Sequence, residues 1–92
     1  MFTFQNQSVD YIIDVRSKLE FLLGHVQGAI NLPVQSIARD IARRPEIAKD
    51  AAIVLCCRSG HRAGLAQQIL RDLGYTRVLN GGSQAQLRAG LS

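Results

Sequence analysis

The segment from Ala51 to Cys57 is an unbroken apolar run that stops abruptly at Arg58-Ser59-Gly60-His61-Arg62, and this junction restricts the fold more than any other feature. The run is far short of the roughly 18 residues a membrane span needs, but it suits a strand buried on both faces. Ile53 to Cys56 is its most strand-like part, so that strand is expected at the centre of a sheet. Beyond the polar junction, Ala63 to Leu73 places Leu65, Ala66, Ile69, Leu70 and Leu73 at helical spacing before Gly74, a residue suited to ending a helix.

The flanking sequence repeats this alternation. Tyr11 to Val15 reads as a second buried strand with Asp14 near its carboxyl end, followed by a short helix over Lys18 to Leu23 that Gly24 stops. Gly28 to Leu32 reads as a strand ended by Pro33, Gln35 to Ala42 as a helix, Val78 and Leu79 as a last strand, and Gln84 to Arg88 as a terminal helix. Strands alternating with helices predict an α/β domain with a mostly parallel sheet of four to five strands and helices on both faces. Functional groups in such folds gather at the carboxyl ends of the strands, where Asp14 and Cys57 both map.

Composition removes several alternatives. At 92 residues, 47% hydrophobic and 20% charged, the chain suits one globular domain over residues 1–92 and is too apolar for a disordered one. Its net charge of +4 favours anions, yet only 5% of residues are aromatic and the basic residues are scattered, which argues against nucleic acid as a partner. The Arg43-Arg44 pair reads as a solvated helix face. Adjacent Cα atoms about 3.8 Å apart are closer than the usual span of a disulfide, so Cys56 and Cys57 are not expected to pair. No export signal or membrane segment is visible, which leads us to expect a cytoplasmic protein, or a periplasmic one where a signal peptide has been removed.

A cysteine that ends a central strand and precedes a glycine-containing turn and a helix has a chemical consequence. The N–H groups of residues 58 to 62 can curl toward the sulfur as an anion-binding nest, reinforced by the positive end of the helix dipole. Arg58 and Arg62 add full charges, and a thiolate is stabilised there. Cys57 is thus the candidate nucleophile, although most free cysteines are simply small buried hydrophobes. Cys56 should point to the opposite face of the strand, into the core.

Cys57-Arg58-Ser59-Gly60-His61-Arg62 resembles the active-site loop of the rhodanese superfamily, opened by a cysteine and closed by an arginine. Ile13-Asp14-Val15-Arg16, Glu20-Phe21 and Gly24-His25-Val26-Gln27-Gly28-Ala29-Ile30-Asn31-Leu32-Pro33 resemble the family's amino-terminal signature, and Gly81-Gly82 lies where its carboxy-terminal one begins. The ordered set spans about residue 11 to residue 90 and is similar to the single-domain bacterial members.

The resemblance implies a sulfurtransferase without cofactor or metal. Cys57 would take the outer sulfur of a small anionic donor such as thiosulfate and pass it to cyanide or a thiol, a thioredoxin-like protein among the candidate acceptors. Arg58, Ser59, Gly60, His61 and Arg62 would form the anion cradle, with Asp14 and Arg16 in support and His25 bracing a turn. A monomer or weak homodimer is expected. Two departures bear on the site: Gln86 stands where the family often has tryptophan, suggesting a more open or polar pocket wall, and Ala63 stands where serine is common. The alternatives are a persulfide carrier or regulatory binding module with little thiosulfate turnover, and a cysteine-dependent phosphatase or arsenate reductase. The latter enzymes place five residues between cysteine and arginine, whereas four stand between Cys57 and Arg62.

Overall fold

The computed structural model describes residues 2–92. A short antiparallel hairpin, β1 (Phe2–Phe4) and β2 (Gln7–Val9), precedes β3 (Tyr11–Asp14), α1 (Lys18–Leu22), β4 (Ile30–Asn31) and α2 (Ile37–Ala42). Then come β5 (Ala52–Cys57), α3 (His61–Asp72), β6 (Arg77–Ser83) and α4 (Gln84–Gly90). Four strands form a parallel sheet in the order β4-β3-β5-β6, so the expected α/β architecture is present.

The apolar run does what its composition demands. All six residues of β5 are buried, and the strand lies between β3 and β6. Its side chains alternate between two cores: Ile53, Leu55 and Cys57 face α2 and α3, whereas Val54 and Cys56 face α4 and the hairpin. The two cysteines therefore lie on opposite sides of the sheet, as strand geometry predicts.

The structure departs from the sequence reading at three places. The hairpin has no counterpart in the sequence reading. Its turn residues Gln5 and Asn6 both have positive φ, 49° and 65°, the backbone geometry of a tight two-residue reversal, without the Asn-Gly pair that usually advertises one. In α3 the buried residues are Ala63, Ala66 and Leu70, while Leu65 and Leu73 are exposed, so the inward face is rotated toward the small residues. The last strand runs to Ser83 because Gly81 and Gly82 do not break it. They form a bulge, in which Leu55 pairs with Asn80 but Cys57 pairs with Ser83. A Cβ on Gly81 would lie 2.9 Å from the Leu55 carbonyl oxygen, and Gly82 has φ 79°, so neither position suits a larger residue.

Candidate active site

β3 and β5 run in register, Asp14 beside Cys56, so Asp14 and Cys57 emerge at the same carboxyl edge of the sheet. Cys57 ends its strand and three loop residues lead into α3, whose first residue is His61. The loop turns sharply at Gly60, the N-cap of α3, with φ 92°. An L side chain is disfavoured in that left-handed conformation, and a Cβ there would sit 3.3 Å from Gly82 Cα.

The turn folds the start of α3 back over the sulfur. Cys57 Sγ accepts the Gly60 N–H at 2.8 Å and the Ala63 N–H at 3.4 Å. The N-cap residue of this twelve-residue helix, Gly60, supplies no side-chain cap. The sulfur takes the place a serine or aspartate oxygen would usually occupy at a helix N-terminus. Ala63 was not expected in the cradle; it contributes through its backbone, which no residue type announces. Among the described residues, the N–H groups of Arg58, Ser59, His61 and Arg62 have no acceptor and are free to meet an anion.

Cys57 has 0% solvent exposure. Arg58, Ser59 and His61 are exposed around its loop, and Gly60 and Arg62 are half-buried. Asn80 tethers the loop to β6: its Nδ2 donates to the Gly60 carbonyl at 3.1 Å while its Oδ1 accepts from Gly82 N at 2.8 Å. Cys56 is a different kind of thiol. Burial, with the nearby Asp14 carboxylate, pushes it up to about 12, which keeps it protonated at neutral pH.

The two arginines of the loop part company. Arg62 Nη1 and Nη2 donate to Glu20 Oε1 and Oε2 at 2.7 and 3.0 Å, a two-pronged pair across 42 residues of sequence. Its charge is thus already matched, unlike the free cation the sequence suggested. Glu20 does a second job: with Ser17 it forms the capping box that starts α1, accepting the Ser17 N–H at 3.1 Å. One carboxylate therefore ties the start of α1 to the start of α3. The Arg62 guanidinium, helped by the Ser17 amide, holds the Glu20 carboxyl down at about 2, against an ordinary value of 4.5.

Because the folded-state value lies below the unfolded one, this pair stabilises the protein fully above pH 4.5 and ceases to do so as pH falls toward 2. Glu20→Gln keeps the capping bond but loses the charge. The stability gap between wild type and Glu20→Gln, read from denaturant midpoints, should close across that window. A gap of constant size would show that the pairing carries no charge-dependent stability.

Asp14 and Arg16 form a buried brace at the carboxyl end of β3. Arg16 Nη2 donates to Asp14 Oδ2 at 2.8 Å, its Nε bridges both carboxylate oxygens, and its backbone N–H donates to Asp14 Oδ1 at 3.0 Å. Nη2 also donates to the Gly24 carbonyl at 2.7 Å, and Gln84, with its amide oxygen turned toward Arg16, accepts from Nη1 at 2.8 Å. His25 stacks on Phe21 and its Nδ1 lies 2.8 Å from the Phe21 carbonyl, in keeping with a turn brace. Among the described residues, no three His, Cys, Asp or Glu side chains gather as a metal site would require, and no helix is long and apolar enough to cross a membrane.

Beside the loop lies an open cleft of about 480 Å³, lined by Arg16, Glu20, Leu23, Arg58, Gln84 and Arg88. Cys57 does not line it, but its neighbour Arg58 does. The wall mixes polar and apolar surface, and Gln86 is not part of it. Gln86 turns back to accept the Ser83 N–H and caps α4, leaving Gln84 and Arg88 on the cleft.

A parallel α/β sheet thus delivers the Cys57 thiol from a central strand to the amides of the following helix. The rhodanese-like domain profile matches residues 3–88, and the chain belongs to that family. It is 37% identical over 76 residues to the thiosulfate sulfurtransferase PspE of Escherichia coli, covering 82% of this chain and 71% of that protein. A sulfurtransferase of Allochromatium vinosum is 40% identical over 82 residues, covering 87% and 74% of the respective chains. Among solved structures, a rhodanese with anions from E. coli superposes with a TM-score of 0.76 at 36% identity, covering 83% of this chain and 88% of that one.

Proposed function

We propose that residues 1–92 form one sulfurtransferase domain that moves a sulfane sulfur from thiosulfate, or another small anionic donor, to cyanide or a thiol through a persulfide on Cys57. The observation that carries this reading is the thiol itself, which accepts two N–H groups at the start of α3 at 2.8 and 3.4 Å. Helix-terminal amides lower the energy of a sulfur anion, whether thiolate or persulfide.

In the first step the Cys57 thiolate attacks the outer sulfur of thiosulfate. A new S–S bond forms, the old one breaks, and its electron pair leaves with sulfite. In the second step the acceptor takes the outer sulfur, and the electron pair of the Cys57 S–S bond returns to Sγ. The free N–H groups of Arg58, Ser59, His61 and Arg62 hold the added charge. Arg58 draws the anionic donor to the loop. Arg62, held by Glu20, closes the ring and fixes its shape, while Asp14 and Arg16 keep the strand end in place.

Intact-mass measurement after thiosulfate treatment should show one added sulfur atom, removed by dithiothreitol, with no hydrolysis of an aryl phosphate by the same preparation. No mass gain, or phosphatase turnover, would overturn the assignment.

A further inference from the structure

The side that α1 turns to solvent has no partner inside the molecule. Leu19, Leu22 and Leu23 stand at i, i+3 and i+4, hence on one side of the helix, and are 68%, 66% and 81% exposed. α1 contributes no fully buried residue to either core. Single exposed leucines are ordinary, but three together on one turn mark a surface that meets something. Leu23 also lines the cleft beside the Cys57 loop, together with Arg58 and Arg88.

The charges in that cleft are not equivalent. Arg16 is matched by Asp14, and Glu20 by Arg62. Among the described residues, the guanidinium groups of Arg58 and Arg88 have neither an ion-pair nor a hydrogen-bond partner. The result is one continuous surface, apolar along α1 and positive across the cleft, that borders the residue following the nucleophile.

We propose that this surface docks the sulfur acceptor, and that the acceptor is a polypeptide whose reactive cysteine is flanked by apolar and acidic side chains. The inference rests on the persulfide reading and adds the partner to it. A small thiol would fit the cleft alone, but Leu19 and Leu22 lie outside it and need a larger occupant. Acidic character follows from the two unmatched arginines, which attract carboxylates and repel a basic partner. Once docked, the partner thiolate attacks the outer sulfur of the Cys57 persulfide. The new S–S bond forms on the partner, the Cys57 bond breaks with its electron pair returning to Sγ, and no oxidant is consumed.

The test uses the whole chain and two synthetic peptides, each with a cysteine between leucines, one flanked by glutamates and the other by lysines. Binding is read by fluorescence anisotropy on versions with serine in place of cysteine, so that it does not depend on sulfur chemistry. Sulfur transfer to the cysteine versions is read by mass. The acidic peptide should bind at least about tenfold more tightly than the basic one, and less tightly at high salt. Arg88→Glu and Leu19→Ser/Leu22→Ser should each remove about tenfold of that affinity and slow transfer in step, and the leucine variant should leave loading by thiosulfate and discharge to dithiothreitol unchanged.

Equal binding of the two peptides, or variants that bind as wild type does, would overturn the proposal. So would a homodimer in sedimentation that the leucine variant dissociates, since the patch would then belong to a second copy. Failure of Cys57 to load would remove the transfer reading and the proposed function together, while the binding measurement would still report on the docking surface by itself.

Discussion

Cys57→Ala is expected to abolish sulfur loading, with thiosulfate turnover falling by at least about a thousandfold. The neighbouring thiol cannot substitute. Cys56 faces the opposite core, and burial with the nearby Asp14 pushes it up to about 12, so it offers almost no thiolate at neutral pH. Cys56→Ala should therefore load sulfur normally and lose only about 1 kcal/mol of stability, as a small core truncation does. The pair of variants separates the two thiols cleanly. Loading that survives in Cys57→Ala, or disappears in Cys56→Ala, would transfer the sulfur to the wrong face of the sheet and end the mechanism.

Asp14→Ala is expected to be the most damaging change to stability. Asp14 is fully buried, Arg16 nearly so, and the two share a bidentate contact at 2.8 to 3.1 Å. Removing the carboxylate leaves a guanidinium enclosed without its counter-charge, which costs about 3–5 kcal/mol, a large part of the roughly 5–15 kcal/mol that holds a domain together. The double variant Asp14→Ala/Arg16→Met removes both charges and should recover much of the loss in urea unfolding. A loss below about 1 kcal/mol in the single variant would mean the pair behaves like an exposed one.

Much of this architecture is written in local pattern. The β5–loop–α3 unit is legible because a buried parallel strand and an amphipathic helix leave distinct periodicities, with Gly60 between them. The proposed site follows the same logic: a cysteine at that junction lies near helix-terminal amides whatever the rest of the chain does. The features that local pattern does not carry are backbone-borne or distant in sequence. Ala63 donates through its N–H, which carries no residue signature. Glu20 could be seen as part of a familiar block, but its pairing with Arg62 spans 42 positions that no local spacing connects. The hairpin hid because strands of three residues show almost no alternation. Analogy with a tryptophan puts Gln86 on the pocket wall, yet glutamine at the third position of a helix reaches back to cap it, and the wall passes to Gln84 and Arg88.

The doubled glycine in β6 has a mechanical meaning beyond its tight fit. With one residue more than its neighbour between the Asn80 and Ser83 pairings, this strand arrives at α4 with its parity inverted. The odd residue works like a tooth added to a gear: it sets the phase in which the last helix engages the sheet, Leu87 inward and Arg88 outward. Shortening the strand by one would turn that helix the other way, carrying the cation off the rim and the leucine out into water.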